Sequence, residues 1–147
     1  MPRLIGWKKA VDDANYAAAV FDGVVAYDRV IASHRWHLEP AEPWDCTFAI
    51  VQLSDAAAET PDEPSVDEVA WYLSWGGDWQ VTPADHPGWQ NRDAIRECAH
   101  NWSPEVETKL LMAIAEPGSW YARDGIGDVV YVYSLKQRIA ARIRLGD

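Results

Sequence analysis

The chain has 147 residues, with 23 acidic and 13 basic side chains and a formal net charge of −10. This length suits one domain, which we predict to cover residues 1–147. Nine Trp and six Tyr supply core-forming side chains, and two Phe are present. No apolar run approaches the ~20 residues of a membrane span. Transmembrane, collagen, coiled-coil and disulfide-scaffold classes are therefore excluded.

The N-terminal third contains one predicted helix and one ambiguous segment. Apolar residues from Trp7 to Phe21 recur every three to four positions, which predicts an amphipathic helix that ends at Asp22 and Gly23. Residues 24–38 fit either a helix or a strand, and their β-branched side chains favour the strand. Residues 46–53 have apolar side chains at odd and at even positions, which is typical of a strand that is buried on both faces.

The middle of the chain begins with an acidic, Pro-containing linker at residues 54–64, which is too short to separate two domains. Ser65 and Glu68 form a capping box that follows a proline. We therefore predict a helix that runs to about Trp75 and stops at the two following glycines. A short strand is predicted from Trp79 to Thr82.

Two further helices are predicted, one around Ile95 and one that starts at Pro104 and ends before Pro117. Beyond them, residues 120–123 and 128–134 resemble the two strands of a hairpin, joined by a turn that contains two glycines. A strand after this turn argues against a dinucleotide-binding loop, which requires a helix N-terminus at that place.

The last element, residues 135–145, permits two interpretations. Alternating apolar residues from Ile139 to Leu145 fit a strand, whereas the abundance of Lys, Gln, Arg and Ala favours a helix, which we prefer. The basic side chains would then lie on its solvated face; they are Lys136, Arg138, Arg142 and Arg144. The predicted fold is a single compact α+β domain, with a small antiparallel or mixed sheet packed with about four helices.

The sequence contains no recognisable catalytic motif. His34, His37 and Glu39 form the most metal-like group, but three-residue spacing brings side chains together only on a helix, and ordinary surface histidines are the simpler interpretation. We predict no catalytic residue, no metal and no cofactor. Cys46 and Cys98 could form one disulfide, but two unpaired thiols in a reducing cytoplasm fit better, so we predict a cytoplasmic protein.

The acidic charge is concentrated in one third of the chain. Residues 36–91 contain eleven acidic side chains and no Lys or Arg. Direct binding to nucleic acid or to an anionic membrane needs cations, so this distribution argues against both. It favours a basic protein partner, although an acidic halophilic host would also explain it.

Six of the nine tryptophans fall within the same base-free span. Most of them should be core residues, but a few exposed aromatics with a charged rim would make a protein interface. We place this interface between Glu59 and Trp79. The predicted partner-binding residues are Glu59, Asp62, Glu63, Asp67, Glu68, Trp71, Trp75, Asp78 and Trp79.

These features predict a non-enzymatic inhibitor that blocks a basic, nucleic-acid-binding surface of another protein, with carboxylates in place of DNA phosphates. A phage anti-defence protein such as an anti-CRISPR, or the immunity protein of a nuclease toxin, would act in this way. Two alternatives stay open. One is a small enzyme or ligand-binding protein with an aromatic-lined pocket near His34 or His37. The other is a phage or cellular assembly subunit.

Overall fold

A computed structural model of the chain describes residues 13–35, 46–61, 74–84, 94–123 and 129–145. Within these ranges there are two α-helices, α1 (Ala14–Phe21) and α2 (Pro104–Ala115). Residues 94–98 are also helical and continue into a 3-10 turn at Ala99–Asn101. The strands are β1 (Tyr27–His34), β2 (Cys46–Leu53), β3 (Gln80–Val81), β4 (Trp120–Arg123), β5 (Val129–Ser134) and β6 (Ile139–Leu145).

The six strands form one sheet in the order β1-β2-β6-β5-β4-β3, and every neighbouring pair is antiparallel. The predicted α+β class and the antiparallel sheet are confirmed. The sheet is larger than the small one expected, and the described ranges hold three helical segments rather than about four. The central position of β6 accounts for part of this difference, because the chain's last element is a strand.

The predicted C-terminal helix is wrong. Residues 139–145 form strand β6, which pairs with β2 on one side and β5 on the other. Ile139, Ala141 and Ile143 are fully buried on one face of the sheet, and Ala140 is fully buried on the other. Burial on both faces with period two outweighs the helix propensity of the Arg and Ala residues, because propensity contributes little free energy compared with packing.

Each face of the sheet carries its own core. On the face called here the α2 face, Phe48 and Ile50 of β2 pack with Leu110 and Ile114 of α2. On the opposite face, called the α1 face, a second core combines sheet residues with Tyr16, Ala17, Val20, Phe21 and Trp75. Because successive side chains of a strand point to opposite faces, β2 supplies both cores, as its continuous apolar run predicts.

Several local predictions are confirmed. Helix α1 ends at Phe21, and Gly23 adopts a positive φ of 80° that suits glycine at this position. The segment that fitted either a helix or a strand forms β1, as its β-branched residues favour. Pro104 lies in the first turn of α2, and β4 and β5 pair as the two strands of the predicted hairpin.

The prediction of two unpaired thiols is wrong. Cys46, the first residue of β2, forms a disulfide with Cys98, and their Cα atoms lie 5.6 Å apart. The two cysteines are 52 positions apart in the sequence, and the sheet and the helical residues 94–98 bring them together. The prediction of a cytoplasmic location therefore loses this support.

Candidate partner-binding surface

Trp75 lies at the centre of an aromatic cluster on the α1 face. Its ring centroid is 5.0 Å from that of Phe21, 5.6 Å from that of Tyr131 and 5.3 Å from that of Trp79. The side chain of Trp75, one of the predicted partner-binding residues, is 0% exposed and belongs to the core of the α1 face. The burial follows from packing, since a large apolar side chain is stabilised by contact with the sheet.

Trp79 is the more accessible member of this cluster. Its side chain is half-buried and rests against Trp75 and Tyr131. Gly76 makes this arrangement possible, because it has a φ of 89° and a Cβ built on it would lie 3.0 Å from Nε1 of Trp79. Residues 74–77 are not helical, so the predicted helix does not extend to Trp75. Its earlier residues, 66–73, lie outside the described ranges.

Ser74 is held by both its backbone and its side chain. The guanidinium of Arg142 donates from Nε to the Ser74 carbonyl oxygen at 2.8 Å. The hydroxyls of Ser74 and Tyr131 share a hydrogen bond of 3.0 Å. These contacts fix the position of Ser74, the residue that directly follows residues 62–73.

Arg142, the donor to the Ser74 carbonyl oxygen, is a buried cation with 2% of its surface exposed. It donates from Nη1 to the hydroxyl of Tyr16 at 2.8 Å, and its guanidinium carbon lies 5.8 Å from the centre of the Tyr131 ring. Burial raises the pKa of Tyr16, and the positive charge of Arg142 opposes that rise in part. The prediction that Arg142 lies on a solvated helix face is wrong.

The stretch that precedes residues 62–73 is anchored on the same face of the sheet. Tyr133 donates a hydrogen bond from its hydroxyl to the carbonyl oxygen of Ala58 at 2.5 Å. Tyr131 and Tyr133 are two residues apart on β5, so they share a face and their Cα atoms are separated by roughly 7 Å. Ala58 and Ser74, which flank residues 59–73 in the sequence, are therefore anchored by side chains two residues apart on β5.

We call residues 59–79 the acidic segment, because they contain six acidic side chains and no basic one. Of the predicted partner-binding residues, the structure describes Glu59, Trp75, Asp78 and Trp79. Glu59 and Asp78 are exposed to solvent. The other predicted members lie outside the described ranges; they are Asp62, Glu63, Asp67, Glu68 and Trp71.

Sequence reasoning missed the residues that anchor this segment, namely Ser74, Tyr131, Tyr133 and Arg142. The one available signal was the alternation of apolar residues along 139–145. If residues 139–145 form a strand, Arg142 lies on the same face as Ala140, because the two are two positions apart. A cation in the middle of a buried strand needs partners, and its position would have marked it as a structural residue.

The histidine group is described only in part. His34 is the last residue of β1 and its ring centroid lies 5.7 Å from that of Phe48. His37 and Glu39 lie outside the described ranges. Among the residues that the structure does describe, no three His, Cys, Asp or Glu side chains are arranged to hold a metal ion.

No helix within the described ranges is long and apolar enough to cross a membrane. The chain matches no protein-family model, no curated protein and no solved structure.

Proposed function

We propose that this chain is a non-enzymatic inhibitor that binds a basic surface of a partner protein through the acidic segment. The supporting observation is that Ala58 and Ser74, which flank a stretch of five acidic side chains and no basic one, are both held on the α1 face by tyrosine hydroxyls of β5. Glu59 and Asp78, the acidic residues of this segment that the structure describes, are both exposed to solvent.

A concentrated negative charge mainly increases the rate at which the chain associates with a positively charged protein. Complementary charges increase the association rate of two proteins and exclude partners of the same sign. A nucleic-acid-binding protein offers the required positive surface, and carboxylates would occupy the positions of phosphates. An anti-CRISPR protein and a nuclease-toxin immunity protein both fit this mode of action, whereas direct contact with nucleic acid does not.

Charge reversal tests the proposal. We would capture binding proteins from the producing host with the wild-type chain and identify them by mass spectrometry. The variant Asp62→Lys/Glu63→Lys/Asp67→Lys/Glu68→Lys should then lose the captured basic protein. Like-charge contacts with a basic partner cost several kcal/mol, while exposed charge changes alter stability by only ~0.5 kcal/mol each.

A matched control separates local from general charge effects. Glu97 and Glu116 are exposed and lie in or next to the helical elements of the α2 face. The double variant Glu97→Lys/Glu116→Lys changes the net charge as much as Asp62→Lys/Glu63→Lys does, and both of its positions belong to the α2 face. The control should bind the purified partner with wild-type affinity, whereas Asp62→Lys/Glu63→Lys, which has the same net charge, should bind at least tenfold more weakly. Equal affinities would show that the interface lies elsewhere.

A further inference from the structure

The Cys46–Cys98 disulfide links the first residue of β2 to the helical residues 94–98 across the α2-face core. Cys46 is 6% exposed and Cys98 is 0% exposed. From this geometry we infer that the bond is a permanent cross-link, made during folding by exchange with an oxidised disulfide partner, and that the protein acts in an oxidising compartment. This inference is independent of the proposed inhibitor function.

Burial makes the bond inert in the folded state. A thiolate can cleave a disulfide only if it reaches one of the two sulfur atoms. Here the sulfurs lie in a core that also contains Phe48 and Trp102, whose ring centroids are 5.6 Å apart. The chain contains two cysteines and thus no third thiol to attack from within. A redox switch needs an accessible bond, so a structural role fits these contacts better.

The position of the cross-link also matters for the acidic segment. Residues 47–97, which the bond closes into a loop, contain all of residues 59–79. Closing so long a loop removes many conformations from the unfolded chain, and this stabilises the fold around a segment whose charges repel one another. At the Cys98 end of this loop, Asn101 donates from Nδ2 to the Cys98 carbonyl oxygen at 3.0 Å and helps to fix the local turn.

Formation of the bond requires an electron acceptor. The two thiols lose two electrons and two protons, and the S–S bond of a small-molecule or protein disulfide takes them up and becomes two thiols. Such acceptors are maintained in secretory and periplasmic compartments and not in a reducing cytoplasm. In such a compartment the proposed inhibitor would meet its basic partner outside the cytoplasm, which narrows the proposed function away from a cytoplasmic complex such as an anti-CRISPR protein forms.

The thiol state of the protein in its producing host tests this inference. Cells are quenched in acid, the full chain is denatured without reductant, and free thiols are alkylated with iodoacetamide before intact mass measurement. We expect no alkylated cysteine without reduction and two per chain after reduction. Two alkylated cysteines in the unreduced sample would overturn the inference.

The kinetics of reduction test the permanence of the bond. Under native conditions, the reduction rate should reach a plateau as dithiothreitol is increased, because unfolding limits access. A rate that stays proportional to dithiothreitol would show an accessible bond and contradict a permanent cross-link.

Thermal unfolding provides a second measurement. The melting temperature of the wild-type chain should fall by about 10 °C on full reduction. The Cys46→Ala/Cys98→Ala variant is the matched control, and reductant should leave its melting temperature unchanged. An equal response of the two chains would show that the bond contributes nothing to stability.

Discussion

Arg142 and Tyr16 join the middle of the sheet to helix α1. Nη1 of Arg142 donates to the Tyr16 hydroxyl at 2.8 Å, and Nε of the same guanidinium donates to the Ser74 carbonyl oxygen at the same distance. One buried cation thus connects β6, α1 and Ser74 of the acidic segment. A buried polar group that loses its partner costs more than the hydrogen bond contributed.

Replacing Arg142 with Met should therefore be strongly destabilising. The substitution keeps an unbranched side chain but leaves the Tyr16 hydroxyl and the Ser74 carbonyl without their donor. We expect the free energy of unfolding to fall by about 3 kcal/mol, measured by urea denaturation. Arg29→Met is the control, because Arg29 is exposed and donates to Gln52, and it should change stability by only ~0.5 kcal/mol. Equal effects of the two variants would rule out a structural role for Arg142.

Tyr27 should make stability fall at high pH. Its hydroxyl donates to the carboxylate of Asp22; this hydrogen bond, with burial and the charge of Asp22, raises the pKa of Tyr27 from 10.0 to about 12. The fold stabilises the neutral phenol, so this contribution is fully present below pH 10 and is lost as the pH rises towards 12. Asp22→Ala should return the pKa of Tyr27 towards 10.0, as followed by NMR titration. Glu97→Ala should not, and a pKa near 10.0 in the wild type would contradict the contact.

Arg138 offers a test of backbone strain. It has a φ of 55°, in the left-handed region, and closes the turn between β5 and β6. Its side chain donates to the Leu53 carbonyl oxygen and lies 3.3 Å from the carboxylates of Asp28 and Asp55. Arg138→Gly and Arg138→Ala both remove these contacts, so they differ only in the backbone. The Gly variant should be more stable than the Ala variant by about 1 kcal/mol in urea denaturation. The opposite order would show that the turn does not require this conformation.

Trp75 should matter for stability and not for direct contact with a partner. Because its side chain is 0% exposed, Trp75→Phe should leave a cavity and lower the free energy of unfolding by about 2 kcal/mol. The affinity of the folded variant for the partner should equal that of the wild type in a surface-binding assay. A tenfold loss of affinity in a fully folded variant would show that Trp75 becomes exposed on binding.

Partner association should depend strongly on salt. Residues 36–91 carry a net charge of −11, and charges at the surface are screened over about 8 Å at physiological ionic strength. The association rate should therefore fall steeply as salt is raised, whereas the dissociation rate should change much less. Stopped-flow measurements over a range of salt concentrations would reveal this, and a constant association rate would contradict electrostatic capture.

Sequence alone was sufficient where the decisive interactions are local. The stop of α1 near Gly23, the start of α2 at Pro104 and the β4–β5 hairpin all follow from backbone preferences of a few adjacent residues. The same is true of β1, whose β-branched residues favour a strand. The concentration of acidic charge is likewise a property of the sequence, because it requires no fold to be counted.

Tertiary structure decided the features that depend on residues far apart in the chain. β6 is a strand because β2 and β5 flank it and a core covers each face, and its local composition does not encode those neighbours. Arg142 is tolerated there because Tyr16 and Ser74 accept its hydrogen bonds. The disulfide likewise joins cysteines that are 52 positions apart in the sequence, because the fold brings both into the α2-face core. Burial and pairing are set by what the fold brings near a residue, so local propensity gives way wherever the two disagree.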